Sequence, residues 1–115
     1  LGILRSLPPS AFEGIAKPFP GYTLALGARG EDVRDLQEYI NVLATVYDEV
    51  GELAVDGIFG VNTRDNVYAI QALFNLTRDG TVDAITWAVI GDAYDDIISG
   101  QYTSEGQYPG FEIGG

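Results

Sequence analysis

The stretch DGIFGVNT at residues 56–63 organises the chain, because it returns in altered form as DGTVDAIT at residues 79–86. Each copy opens with Asp-Gly, a dipeptide that favours a tight turn, and ends with Thr, which is well suited to the N-cap of a helix. Each copy therefore predicts a turn that leads into a helix, with Thr63 or Thr86 as the N-cap. The apolar side chains expected to be buried in the turns are Ile58, Phe59 and Val82.

The repeat extends into the residues before each turn. Four side chains recur with a shift of 34 positions (67 − 33): Val33, Leu36, Gln37 and Ile40 return as Val67, Ile70, Gln71 and Phe74. The turns are shifted by only 23 positions (79 − 56), so the first copy contains an insertion around residues 45–54. A helix–turn unit this short cannot bury its apolar face alone, and we expect the two copies to pack on each other.

Apolar residues at three- and four-residue spacing predict three helices, at about residues 31–46, 63–74 and 84–98. Their inward side chains are expected to be Val33, Leu36, Ile40, Leu43 and Tyr47 in the first helix, Val67, Ile70 and Phe74 in the second, and Trp87, Ile90, Tyr94 and Ile97 in the third. The expected fold class is all-α, a compact three-helix bundle with an internal helix–turn duplication. The apolar stretch at residues 22–26 is expected to lie extended against it.

Both ends of the chain have the composition of connecting segments. We predict an N-terminal extension at residues 1–21, with a short helix over residues 11–16, then the domain proper at residues 22–98. Residues 99–115 are rich in Gly, Ser and Tyr and predict a linker. Because FPGYTL at residues 19–24 resembles YPGFEI at residues 108–113, this linker is expected to include the start of a possible next repeat.

Composition argues against several classes of function. The formal net charge of −11 opposes nucleic acids and anionic lipids, and the sequence has no apolar run long enough to insert into a membrane. The chain has neither Cys nor His, so thiolate chemistry is excluded and the commonest general base and metal ligand is missing. An EF-hand-like register over residues 75–86 ends in Thr86 instead of a bidentate Glu. We expect no catalysis, no metal and no cofactor.

These features, in order and spacing, resemble the peptidoglycan-binding domain-one family over about residues 24–98. The matching residues are Leu26 to Val33, Leu36, Gln37, Asp56 to Gly60, Thr63, Gln71, Asp79, Gly80, Thr86 and Trp87. The resemblance implies a non-catalytic module that binds the bacterial cell wall, attached to a wall hydrolase or to further copies of the domain. It also implies an extracytoplasmic location, in the cell wall or spore envelope. Three residues depart from the family pattern, namely Asn66, Ile70 and Asp83.

The acidic charge would repel teichoic acids, so we expect recognition of neutral sugar or peptide groups of the peptidoglycan glycan or stem peptide. Candidate ligand-binding residues are side chains that the helical pattern does not need: Tyr39, Asn62, Arg64, Asn66, Tyr68 and Arg78. A groove between the start of the second helix and a neighbouring turn would offer amide and guanidinium donors to acetamido groups or carboxylates. For Arg64 the alternative is an ion pair with a nearby acid.

The remaining polar and aromatic residues of the repeat favour structural roles. We expect Gln37 and Gln71 to hold loop backbone, and Asp56 and Asp79 to shape the turns. Trp87 is expected in the core, although an exposed indole can stack on a sugar. The alternative function is a protein-interaction or spacer domain with the same fold that has lost wall binding.

Overall fold

The computed structural model describes residues 16–100, which form three helices. They are α1 (Glu31–Ala44), α2 (Val61–Leu73) and α3 (Ala84–Ser99). The predicted all-α, three-helix fold class is confirmed. The predicted helix at residues 11–16, except for its last residue, and the sequence repeat at residues 108–113 lie outside the described residues.

The predicted helix starts need one correction. Gly60 is the N-cap of α2 and Asp83 is the N-cap of α3, whereas Thr63 and Thr86 lie inside the helices, each at the third helical position. Both Thr side chains are buried, where their hydroxyl groups accept hydrogen bonds from glutamine side chains. The prediction that Thr63 and Thr86 cap these helices is therefore wrong. Their hydroxyl groups accept hydrogen bonds from Gln37 and Gln71 instead of bonding to the helix backbone as a cap does.

The core contains the side chains that the helical spacing placed inward. Fully or almost fully buried members include Val33, Leu36, Ile40, Leu43, Val67, Ile70, Trp87 and Ile90. Tyr47, Phe74, Tyr94 and Ile97 are partly buried and pack around them. The turns add Phe59 and Val82, but Ile58 is 40% exposed, so its predicted burial is wrong. Ile58 forms a bridge with Arg29 in extended backbone, where successive side chains point in opposite directions.

One extended segment before α1 holds both turns. Leu24 and Val82 exchange two backbone hydrogen bonds, at 3.0 and 2.8 Å. A few residues later, Phe59 donates to the carbonyl of Ala28 and accepts from the N–H of Gly27, both at 2.9 Å. The predicted extended stretch is therefore present, and it brings the two copies of the turn to the same side of the bundle.

Residues 16–19, called here the N-terminal strap, pack across α1 and α3. The carbonyl of Lys17 accepts a hydrogen bond from Nε1 of Trp87 at 2.8 Å. The backbone N–H of Lys17 donates to the hydroxyl of Tyr39 at 3.0 Å. The rings of Phe19 and Trp87 meet edge to face with centroids 6.3 Å apart. Trp87 is only 4% exposed, which confirms its place in the core. Packing against the bundle thus begins before residue 22.

Candidate functional site

The first turn is held by a single buried side chain, Gln37. Its Nε2 donates to Oδ1 of Asp56 and to the carbonyl of Ile58, both at 3.0 Å, and to the hydroxyl of Thr63 at 3.2 Å. Its Oε1 accepts the N–H groups of Asp56 and Gly57 at 3.0 and 2.9 Å. A buried amide costs free energy unless its donors and acceptor are hydrogen-bonded. These contacts pair the side-chain amide of Gln37 and at the same time fix the backbone between α1 and α2.

The second turn repeats this arrangement around Gln71. Nε2 of Gln71 donates to Oδ1 of Asp79, to the carbonyl of Thr81 and to the hydroxyl of Thr86. Its Oε1 accepts the N–H groups of Asp79 and Gly80 at 3.1 and 3.0 Å. The prediction that both glutamines hold loop backbone is confirmed, and the duplication seen in the sequence is a duplication of one hydrogen-bonded unit.

The two turn aspartates are held as carboxylates. Hydrogen bonds from the backbone N–H of Ile58 and from the side chain of Gln37 keep the pKa of Asp56 below its ordinary value. The backbone N–H of Thr81 and the side chain of Gln71 lower the pKa of Asp79 in the same way. Donors directed at a carboxylate favour its charged form. The expected structural role of Asp56 and Asp79 is therefore confirmed.

The two copies differ where each helix begins. In the second copy, Oδ1 of Asp83 accepts the N–H of Thr86 at 2.9 Å and so caps α3. The corresponding residue of the first copy is Gly60 (83 − 60 = 23), and no side chain caps α2 among the described residues. The first N–H groups of a helix lack intrahelical partners and carry the positive end of its dipole. The first N–H groups of α2 can therefore still donate to an acceptor, whereas the N–H of Thr86 in α3 is already bonded to Asp83.

A groove of about 190 Å³ lies against this uncapped helix start. It is lined by residues 60–63 at the start of α2, by Leu53, Ala54, Asp56 and Ile58 before that helix, and by Gln37 of α1. The lining thus combines aliphatic side chains, the amide of Asn62 and the first turn of α2. This is the groove between helix and turn that the sequence predicted, and of the six candidate residues it contains Asn62.

Three other candidates lie on the surface near the second turn or beyond it. Arg64 and Tyr68 cover Gly80, and the Arg64 guanidinium carbon is 5.8 Å from the centroid of the Tyr68 ring. Nη2 of Arg64 is 3.3 Å from Oδ1 of Asp65, so the predicted alternative of an ion pair is present, while its buried Nε has no hydrogen-bond partner among the described residues. Arg78 is exposed.

Tyr39 and Asn66 lie inside the fold. Burial raises the pKa of Tyr39, whose hydroxyl binds the strap. The amide of Asn66 exchanges two hydrogen bonds with the backbone of Gly51, at 2.9 and 2.8 Å, and so holds the insertion between α1 and α2. Helical spacing alone could not assign these side chains, because their partners come from distant segments. The structure therefore does not bring the six candidate residues together at one place.

A second, larger cleft adjoins the first turn and the start of α1. It has a volume of about 460 Å³ and is lined by Arg29, Gly30, Glu31, Arg34 and residues 56–58. Arg34 donates to the carbonyl of Val55 at 3.2 Å, whereas Arg29 forms no ion pair among the described residues. Neither Arg29 nor Arg34 was among the residues predicted from the sequence. In the alignment of the two copies, however, Arg34 corresponds to the candidate Tyr68 (68 − 34 = 34).

Residues 16–100 contain no group of three or more acidic side chains placed to hold a metal ion. None of the helices in this part of the chain is both long and apolar enough to cross a bilayer.

The family model for a peptidoglycan binding domain matches residues 29–90, more than half of the chain. This range includes Gln37 and Gln71, both turns and the groove at the start of α2. No curated protein matches the chain closely enough to add to this finding.

Proposed function

Because this chain belongs to the peptidoglycan binding domain family, we propose that it is a non-catalytic module that holds a larger or tandem protein on the bacterial cell wall. The observation that carries the proposal is the family match over both turns, together with an open groove at one of them. The location that follows is extracytoplasmic, in the cell wall or spore envelope.

The groove at the start of α2 is the proposed binding site. Its lining suits a ligand that is part polar and part aliphatic, because Asn62 and the first turn of α2 donate while Leu53, Ile58 and Val61 offer apolar contact. Val61 and Ile58 are 53% and 40% exposed, so a ligand seated here would cover apolar surface that the fold leaves in water. A short peptide or an acetamido sugar has this mixed character.

Among the remaining candidates, Arg64, Tyr68 and Arg78 are accessible and form a proposed secondary contact around the second turn. Tyr39 and Asn66 are committed to internal hydrogen bonds, so we assign them an indirect role in holding the strap and the insertion. A groove of this size binds one small unit of a polymer, and firm attachment would come from several copies engaging one wall. Further copies of the domain, or an attached wall hydrolase, are therefore the proposed neighbours.

The test is sedimentation of the purified chain with insoluble peptidoglycan. We expect the wild type to sediment with the wall and the variant Asn62→Trp, whose bulky side chain fills the groove, to lose most of its binding. The matched control is Ile85→Trp, since Ile85 occupies the corresponding helix position in the other copy (85 − 62 = 23) and is 64% exposed. Equal binding by both variants would remove the groove from the account.

A wild type that stays in solution at both low and high salt would contradict the proposed function itself. The alternative of a spacer or protein-interaction domain would then hold, and the two duplicated turns would serve the fold alone.

A further inference from the structure

We propose that the aspartates of the two Asp-Gly turns, Asp56 and Asp79, are latent sites of isoaspartate formation. The glutamines that close the turns suppress the reaction, and Asp56 is the more vulnerable of the two. Each aspartate stands before a glycine, whose nitrogen attacks easily because glycine has no side chain to hinder it. The inference goes beyond wall binding and does not depend on it.

The reaction is an attack of the glycine backbone nitrogen on Cγ of the preceding aspartate. A bond forms between this nitrogen and Cγ, the nitrogen loses its proton, and one carboxyl oxygen leaves as water. The product is a five-membered succinimide ring, which then takes up a water molecule. Opening at one carbonyl restores aspartate, and opening at the other gives isoaspartate, whose backbone is one methylene longer.

The first turn opposes each requirement of this attack. The nitrogen must be free to lose its proton, but the N–H of Gly57 donates to Oε1 of Gln37 at 2.9 Å in a buried contact. The carboxyl group reacts best when it is neutral, but donors from Gln37 and Ile58 hold Asp56 as a carboxylate. The same contacts restrict rotation of the Asp56 side chain and of the turn backbone.

The second turn has the same contacts and one more. The N–H of Gly80 donates to Oε1 of Gln71 at 3.0 Å. Oδ1 of Asp79 accepts from Nε2 of Gln71 and from the N–H of Thr81, both at 3.0 Å. The hydroxyl of Thr81 also donates to this oxygen at 3.0 Å, whereas the corresponding residue of the first turn is Ile58 (81 − 58 = 23). The second aspartate thus has a hydroxyl donor that the first lacks among the described residues.

The second glycine is also more closely covered by side chains. A β-carbon at Gly80 would lie 2.8 Å from Cγ of Arg64 and 3.2 Å from Cζ of Tyr68. At Gly57 the nearest atom to such a β-carbon is the carbonyl oxygen of Gly30, at 3.2 Å. The Gly80 nitrogen therefore lies beneath two long side chains, which would have to move before the turn could open.

The two turns differ further in the length of chain that each glutamine closes. Gln71 accepts N–H groups that lie 8 and 9 residues later, whereas Gln37 accepts N–H groups 19 and 20 residues later. Closing a longer loop costs more conformational entropy. The first turn should therefore open locally more often than the second.

The more vulnerable aspartate is also the one that lines the groove at the start of α2. An added methylene in the backbone at Asp56 would change the spacing of the N–H groups that Oε1 of Gln37 accepts. Isoaspartate formation there would alter the proposed binding site, whereas Asp79 does not line that groove.

The test is incubation of the folded chain at neutral pH, below its melting transition, with the same chain in urea as the unfolded reference. Mass spectrometry with electron-transfer fragmentation distinguishes aspartate from isoaspartate at each position. We expect both sites of the folded chain to react at least about tenfold more slowly than in urea, because only the locally open fraction reacts. The ratio of the Asp56 rate to the Asp79 rate should be larger in the folded chain than in urea, where the local sequence alone sets it.

Paired variants test the role of each glutamine, and each serves as the control for the other. Gln37→Leu should raise the rate at Asp56 by at least about tenfold and leave Asp79 near the wild-type rate, and Gln71→Leu should do the reverse. A variant that unfolds is recognised by an equal rise at both sites. In that case Thr81→Val decides, because it removes only the hydroxyl donor and should raise the rate at Asp79 towards that at Asp56.

Three results would overturn the inference. Rates in the folded wild type that equal those in urea would show that the turns give no protection. A folded Gln37→Leu variant that reacts at Asp56 no faster than the wild type would remove the role of the glutamine. A folded-chain rate ratio that favours Asp79 over Asp56, relative to urea, would reverse the predicted order. None of these results bears on wall binding, which the sedimentation experiment tests separately.

Discussion

Gln37 and Asp56 hold each other at two points, since Nε2 of Gln37 lies 3.0 Å from Oδ1 of Asp56 while Oε1 of Gln37 accepts the Asp56 N–H at 3.0 Å. The same two contacts join Gln71 to Asp79, at 3.0 and 3.1 Å. The unit that the chain duplicates is thus a helix whose glutamine closes the following turn. Closing the turn sets the direction in which the next helix begins, and at α2 it leaves a groove open.

Replacing Gln37 with Leu should destabilise the domain by about 2–4 kcal/mol, because Leu fills the space but leaves buried donors and acceptors of the turn unpaired. Urea denaturation measures this change. Glu38→Leu, at the adjacent exposed position, should stay within about 0.5 kcal/mol of the wild type. A loss for Gln37→Leu no greater than that for Glu38→Leu would mean that the glutamine does not hold the turn.

The lowered pKa values of Asp56 and Asp79 predict a specific loss of stability in acid. A carboxyl group whose pKa is lower in the folded state stabilises the fold above its unfolded pKa, about 3.9, and this contribution disappears as the pH falls through the folded-state pKa. Urea midpoints measured from about pH 7 down to about pH 2 should therefore fall less steeply for the double variant Asp56→Asn/Asp79→Asn. Asp48→Asn removes an exposed charge outside both turns and is the control. Identical acid profiles for the double variant and the wild type would contradict the assignment.

Phe19→Ala should lower the free energy of unfolding by about 1–2 kcal/mol, since this half-buried ring packs against Trp87. Loosening of the strap should also shift the tryptophan emission to longer wavelength, because Trp87 is the only tryptophan and the strap covers it. Thr23→Ala, at an exposed position, serves as the control. Unchanged emission and stability would show that the strap is not part of the folded unit.

Gly80→Ala should cost about 1–2 kcal/mol, whereas Gly60→Ala should change stability by less than about 0.5 kcal/mol. Gly80 has φ +74°, and a β-carbon there would lie 2.8 Å from Cγ of Arg64. Gly60 has an ordinary extended φ and open space around it. Thermal melting of the two variants side by side checks the difference, and equal melting temperatures would contradict the close packing of Arg64 on the second turn.

The sequence predicted the helices and the closing glutamines because both depend on local periodicity and on an internal repeat. It assigned Thr63 and Thr86 to the helix caps because their hydroxyl groups suit that role, whereas the fold gives those hydroxyls to Gln37 and Gln71. A groove lies at the start of α2, where the sequence predicted one, but Asn62 is the one member of the six candidate residues that lines it. The burial of Tyr39 and Asn66 was not predicted, because it depends on the strap and on Gly51, which are distant along the chain.

The asymmetry between Gly60 and Asp83 was visible in the alignment of the two copies, but only as a departure of Asp83 from the family pattern. The structure shows the consequence of this difference. The Asp83 side chain accepts the N–H of Thr86 and caps α3, whereas no side chain among the described residues caps α2 beside Gly60.

The most direct test of the account is to map, by NMR of backbone amides, where soluble fragments of peptidoglycan bind. The largest shifts are expected at residues 60–63 and within residues 53–58, which line the groove, with little change at the capped start of α3. Shifts centred on Tyr68 and Arg78, or on the strap over Trp87, would contradict the central claim that the groove at the start of α2 is the binding site.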